Sequence, residues 1–250
     1  MKIVTPELNN PIMQTAFQAL PNLEPIATPD LISATKMLES GKADSMIAGL
    51  NYPSRDVLLA CKNHIPLTSK FFSSCFICEK SSQILALADG GVNKLPSQDQ
   101  LYTIIEDTAY TFSAFTATQP KIAMLSYSTN GSGGKNPDLS KIHFCIDKIR
   151  KNHPDWLIDG EMQLDCALDP AICHKKFPSS AIQGDANVLI VPDLNSGNIL
   201  YKSLERFGGW TCGGPIIQGF NKPLADLSRG STVKDVILTL KVLSKLLERS

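Results

Sequence analysis

The sequence predicts an α/β fold with largely parallel sheets, and three observations carry that prediction. Short apolar runs such as Ser45-Met-Ile-Ala-Gly49, Ile122-Ala-Met-Leu125 and Val188-Leu-Ile-Val191 have the length and content of buried strands. Longer stretches between them repeat their apolar residues at helical spacing. The two kinds of segment alternate along the chain, as they do where helices connect and cover parallel strands.

Lys2 to Thr5 is the first strand candidate, and it leads to Asn10-Pro11, an N-cap with proline at the first helical position. Met13, Ala16, Phe17 and Leu20 share one face of that helix, and Pro21 stops it. Ile26-Ala27 suggests a strand, Leu31 to Ser40 a helix capped by Gly41, and Ser45 to Gly49 a buried strand. Asn51-Tyr-Pro-Ser-Arg-Asp56 opens a helix to about Asn63. Phe71 to Cys78 and Ile84 to Ala88 are strands, and Ser97-Gln-Asp-Gln100 is a capping box opening a helix to about Phe115.

Ile122 to Leu125 runs into Ser126-Tyr-Ser-Thr-Asn-Gly-Ser-Gly-Gly134. A loop of such small residues either lets backbone N–H groups converge on an anion or is a flexible surface connection. It is not a Walker loop, because Asn136 follows Lys135 and Thr129 stands where the first glycine is required. Asp138 to Lys151 is a helix and Trp156 to Ile158 a strand. Asp159-Gly-Glu-Met-Gln-Leu-Asp165 reads as a polar turn whose carboxylates serve capping and hinge hydrogen bonds; without histidine at ligand spacing it does not read as a metal site. Val188 to Val191 is a strand, and Asn195 and Asn198 open a helix to about Phe207 that Gly208-Gly209 ends. Pro215 to Phe220 is a strand, and Val233, Val236, Ile237, Leu240, Leu243 and Leu247 mark a helix over Thr232 to Arg249.

At 250 residues the chain is long enough for one large or two smaller α/β domains with real cores. Its 24 basic and 24 acidic residues cancel, so bulk charge favours neither a nucleic-acid nor a membrane partner, and an anionic ligand must be held locally. No apolar run approaches bilayer length. Seven irregularly spaced cysteines and the lack of a signal-peptide pattern predict a reduced, cytoplasmic setting. Cys75 and Cys78 have metal-like spacing but lie three apart on a strand, hence on opposite faces. Cys166, Cys173 and Cys212 lack basic neighbours and read as packed or inert thiols. The histidines at 64, 143, 153 and 174 fall outside the polar turns, which argues against Ser-His or Cys-His catalysis.

The densest chemistry is in Asp226-Leu-Ser-Arg-Gly-Ser-Thr-Val-Lys-Asp235, a strand-to-helix turn carrying a hydroxyl, a guanidinium and a carboxylate. Thr232-Val-Lys-Asp235 also fits a capping box, Ser228 an ordinary turn hydroxyl and Arg229 a solvated charge. The whole turn resembles the C-terminal signature of the phosphate acetyltransferase family. Further blocks are similar in the same order: Ala123 to Gly133, Asp159 to Asp165, Ala186 to Asn198 with Tyr201-Lys202, and Gly214 to Gly219. The likeness is clear from about Gly41 onward and weaker before it.

That resemblance implies two α/β domains of the isocitrate/isopropylmalate dehydrogenase type, residues 1–119 plus 220–250 and residues 120–219, with a cleft between them. It implies transfer of an acyl group between coenzyme A and phosphate, with Asp235 as base, Arg229 as phosphate clamp and Ser228 as oxyanion donor. Ser128, Thr129, Gly131, Ser132 and Gly133 would bind substrate phosphate, coenzyme A would be a substrate, no metal would be needed, and the protein would be a homodimer. The chain departs from the family in a shortened N-terminal part, in Asn130 where relatives commonly carry lysine, and in Leu59 and Ala114 where they carry arginines for coenzyme A. Arg55, one helical turn before Leu59, is placed to substitute. Two alternatives stay open: a phosphate butyryltransferase acting on a longer acyl chain, and an inactive member serving as a binding or regulatory protein.

Overall fold

The computed structural model describes residues 1–248, so the expected helix end at Arg249 lies outside the described residues. In chain order the elements begin with β1 (Lys2–Thr5), α1 (Pro11–Gln18), β2 (Glu24–Ala27), α2 (Leu31–Glu39), β3 (Ser45–Ala48), α3 (Ser54–His64) and β4 (Ser73–Lys80). There follow β5 (Gln83–Ala88), α4 (Gln98–Thr116), β6 (Lys121–Leu125), α5 (Pro137–Asn152), β7 (Leu157–Met162), α6 (Leu164–Leu168), α7 (Pro170–Lys176), β8 (Val188–Ile190) and α8 (Leu194–Arg206). The chain closes with β9 (Thr211–Gln218), β10 (Leu224–Asp226) and α9 (Val233–Glu248).

The helices start where local chemistry dictates. Asn10 accepts from the Ile12 N–H ahead of Pro11, and Asp30 accepts from the Ser33 N–H. Ser97 and Gln100 form the reciprocal capping box at the head of α4. Two short helices, α6 and α7, occupy a stretch where no helix was expected, and Asp159 to Met162 continue β7 instead of forming a turn.

The chain divides into two compact units: residues 1–78 with those from 209 onward, and residues 79–208. The first has strand order β2-β1-β3-β10-β9-β4. Its β1/β2, β1/β3 and β3/β10 pairs are parallel, while β9 and β10 pair antiparallel. The second has order β5-β8-β6-β7, and its pairs are parallel. Both units are therefore α/β with mostly parallel strands.

The boundaries differ from the expected ones because partners in space outrank neighbours in sequence. Ala86, Leu87 and Ala88 of β5 pair with Val188, Leu189 and Ile190 of β8, and α4 packs on both strands. Residues 83–116 thus join the second unit. Strand β9 instead pairs with β10 and carries α9, so it belongs to the first.

The seating of α9 on β9 fixes the last polar turn. A Cβ at Gly213 would stand 2.8 Å from Leu238 Cγ and 2.9 Å from the Thr239 nitrogen, so only glycine admits the helix this closely. Thr239 Oγ1 accepts from the Gly214 N–H at 2.8 Å and donates to the Asp235 carbonyl at 2.7 Å, which pins the helix to the strand. Val236, Leu240 and Leu243 bury the apolar face, each at 0% exposure.

Candidate functional site

The turn between β10 and α9 begins at the C-terminal end of β10, where Asp226 pairs with Ala48 of β3 and the Leu227 N–H donates to the Ala48 carbonyl at 2.6 Å. Ligands of open α/β sheets bind at that end of the strands. Ser228 shapes the turn: its hydroxyl accepts from the Gly230 N–H at 3.3 Å and its carbonyl from the Ser231 N–H at 2.9 Å. Arg229 is exposed and, among the described residues, has no hydrogen bond or ion pair. Its whole fork is available to an oxyanion.

Asp235 is buried and heavily engaged. Its Oδ2 accepts from the Thr232 N–H at 2.7 Å and the Thr232 hydroxyl at 2.8 Å, and its Oδ1 from the Cys212 N–H at 3.1 Å. The capping reading of Thr232 to Asp235 is thus realised in the structure. A carboxylate offers roughly four acceptor positions, so about one is left for a further proton donor.

Beneath this turn lies an acidic layer that the sequence did not reveal. Glu7, 1% exposed, accepts from the N–H groups of Gly49, Leu50 and Asn51 at 2.7, 3.1 and 2.6 Å, which wraps the segment after β3 around its carboxylate. Asp226, 2% exposed, receives a hydrogen bond from Ser54, but its Oδ1 has no partner among the described residues. Burial, with a smaller push from Glu7, raises its pKa to about 6 despite the Ser54 bond. Gly49, at φ +116°, is required here, because a Cβ would meet Leu227 O at 2.4 Å and Asp226 Oδ1 at 2.7 Å.

Arg55 stands in the first turn of α3, exposed and without a partner among the described residues, and Leu59 is exposed one turn later. The two share a face. Ala114 is half-buried on α4, in the other unit.

The glycine-rich loop belongs to the second unit, and its backbone donors are already engaged. The N–H groups of Ser128 and Thr129 go to Ser126 Oγ and Ser132 Oγ, and those of Asn130 and Gly131 to the Glu161 carbonyl and carboxylate. Those of Ser132, Gly133 and Gly134 go to Thr129 O, Ser128 Oγ and Gly131 O. Asn130 and Ser132 are exposed on the loop, and Lys135, also exposed and without a partner among the described residues, is the next cation along it.

The Asp159 to Asp165 carboxylates separate into three structural roles. Asp159 takes the Arg150 guanidinium and the Gly160 and Ala181 N–H groups, Glu161 the loop and His143, and Asp165 the Cys166 N–H and Lys176. No group of three or more histidine, cysteine or acidic side chains is placed to hold a metal among the described residues. The contact of His143 with Glu161 of β7, 18 positions apart, brings a histidine to a carboxylate that sequence spacing kept apart.

Cys212 is not the packed thiol expected. It forms a disulfide with Cys78 on the neighbouring strand β4, the Cα atoms 4.1 Å apart across a sequence separation of 134 that conceals the pair. Cys61, Cys75, Cys145, Cys166 and Cys173 are buried and outside the disulfide. Burial pushes the Cys166 thiol up to about 12, as it does for Cys61 with a further push from Asp226. No described helix is long and apolar enough to cross a membrane.

A phosphate acetyltransferase of Treponema pallidum (strain Nichols) is 38% identical over 219 residues, which cover 84% of this chain and 65% of the relative. One from Clostridium acetobutylicum is 39% identical over 215 residues, covering 83% of this chain and 64% of the relative. The chain thus spans slightly less than two thirds of the length of these relatives. A solved phosphotransacetylase from Streptococcus pyogenes superposes with a TM-score of 0.88 at 29% identity, covering 100% of this chain and 94% of that one. The family model described as phosphate acetyl/butaryl transferase matches residues 19–243, which extends the likeness upstream of Gly41, and the chain belongs to that family.

Proposed function

We propose that the protein interconverts acetyl-CoA and phosphate with acetyl phosphate and coenzyme A. The observation that carries this reading is the exposed Arg229, unpartnered among the described residues, on the turn that leads from Ser228 into the buried Asp235. A guanidinium free of ion pairs, set at the C-terminal end of parallel strands, suits an acyl phosphate. In the direction from acetyl phosphate, Asp235 takes the coenzyme A thiol proton through its remaining acceptor position. The thiolate sulfur forms the new bond to the acetyl carbon, and the bond to the bridging oxygen breaks, so phosphate leaves with that electron pair.

A thiol of pKa ~8.5 is only a few per cent thiolate near neutral pH, so proton removal is worth on the order of 10²–10⁴ in rate. Arg229 holds the phosphate, and the Ser228 hydroxyl donates to the carbonyl oxygen as charge develops there. Ser128, Thr129, Gly131, Ser132 and Gly133 belong to the loop that meets substrate phosphate through its exposed side chains, and Arg55 serves the coenzyme phosphates in place of an arginine at Leu59. The enzyme works as a homodimer in the cytoplasm.

The test is thioester absorbance on mixing coenzyme A with acetyl phosphate, with butyryl phosphate in parallel. The native protein should turn over acetyl phosphate, Asp235→Asn should lower kcat on the order of 10²–10⁴, and Arg229→Ala should raise KM for the acyl phosphate while lowering kcat. Preference for the butyryl substrate would reassign the acyl chain. A folded protein that turns over neither would defeat the reading.

A further inference from the structure

Glu161 lies on β7 with its side chain at 0% exposure, and three groups converge on it. Ser128 Oγ donates to Oε1 at 2.7 Å, the Gly131 N–H donates to the same oxygen at 2.8 Å, and His143 Nε2 of α5 meets Oε2 at 2.5 Å. The Glu161 carbonyl takes the Asn130 N–H as well. The loop is therefore folded around an anion of the protein itself, which takes one of its N–H groups and one of its hydroxyls. Burial pushes the carboxyl up, but the hydrogen bonds from Ser128, Gly131 and His143 outweigh it and hold the pKa below the usual range. The group stays ionised as that role demands.

We infer that Glu161 and His143 are positioning residues of the glycine-rich loop. Glu161 is its resident anion and sets its shape, and His143 fixes the carboxylate from outside. The loop then meets a phosphate with side chains, those of the exposed Asn130 and Ser132, and not with a backbone nest. Lost loop geometry should appear as weaker acyl phosphate binding, since both residues act through the loop. This consequence rests on the proposed reaction; the loop architecture does not.

Two readouts separate them. Hydrogen exchange followed by mass spectrometry on peptides spanning residues 126–134 reports the loop directly, and steady-state kinetics report binding. In Glu161→Ala and His143→Ala, exchange should accelerate across the loop. KM for acetyl phosphate should rise about tenfold, with kcat and KM for coenzyme A within about threefold of native. Glu161→Gln keeps an acceptor for Ser128 and Gly131 and should restore most of both. If Glu161→Ala does not fold, His143→Ala decides, because its side chain is 52% exposed and not part of the core. Native-like exchange and KM in the variant that folds would overturn the proposal, as would rapid loop exchange in the native protein. A protein inactive on acyl phosphates whose loop loosens in His143→Ala would sink the proposed reaction and leave the positioning role standing.

Discussion

Glu161 and Asp226 are both buried carboxylates beneath polar turns, one in each unit, and the protein solvates them in opposite ways. Glu161 gathers Ser128, Gly131 and His143, and its pKa is depressed. Asp226 keeps one bare oxygen and the hydrogen bond from Ser54, and its pKa rises to about 6. A buried charge stabilises only when hydrogen bonds replace the water it loses. The glycine-rich loop is thus organised by its carboxylate, whereas the Asp226 turn is held in place by its strands at the expense of one.

The comparison breaks most sharply on truncation. Glu161→Ala strands three donors around a cavity and should cost ~3–5 kcal/mol. The chain has two tryptophans, Trp156 in the second unit and Trp210 in the first, so urea unfolding followed by fluorescence in a Trp210→Phe background reads the affected unit. A loss below ~1 kcal/mol would mean that the loop does not depend on its carboxylate.

At Asp226 the expected sign reverses. Between pH 3.8 and about 6 the folded protein holds a proton that the unfolded chain has already released, so stability falls as pH rises through that window. The cost reaches ~3 kcal/mol above it. Asp226→Asn removes the titration, so urea midpoints should gain at pH 8 and not at pH 3.5. Glu161 runs the other way: its contribution is complete above the unfolded carboxyl pKa of 4.5 and is lost as pH falls through the depressed folded value. A flat pH dependence of the difference between native and Asp226→Asn proteins would erase the contrast.

Local signals in the sequence reached most of the strands and the helix caps, because each is set by residues within a few positions of one another. Asn10-Pro11 and Ser97 to Gln100 announce α1 and α4 in this way. Asp169-Pro170 carries a similar signature for α7, but seven residues hold too few apolar positions to show a helical period. What stayed hidden depends on long-range partners. The domain boundary follows the β5/β8 pairing, the disulfide joins residues 134 apart, and the Glu161 site needs α5, β7 and the loop together. Composition left the loop open between an anion binder and a flexible connection; only the fold brings Ser128 and Gly131 onto Glu161.

Asp235 stands between the two extremes, and the smallest predicted effect is the most informative about its double use. Of its three donors, the Thr232 hydroxyl is the one a side-chain substitution can remove while the Thr232 and Cys212 N–H groups remain. Thr232→Val also removes the N-cap acceptor of α9, so it should cost ~1 kcal/mol in urea unfolding. If Asp235 acts through a free acceptor position, freeing another leaves kcat within about threefold of native while stability falls. A fall in kcat comparable to that of Asp235→Asn would instead make the hydroxyl the group that aims the carboxylate, and the cap would then be part of the catalytic arrangement.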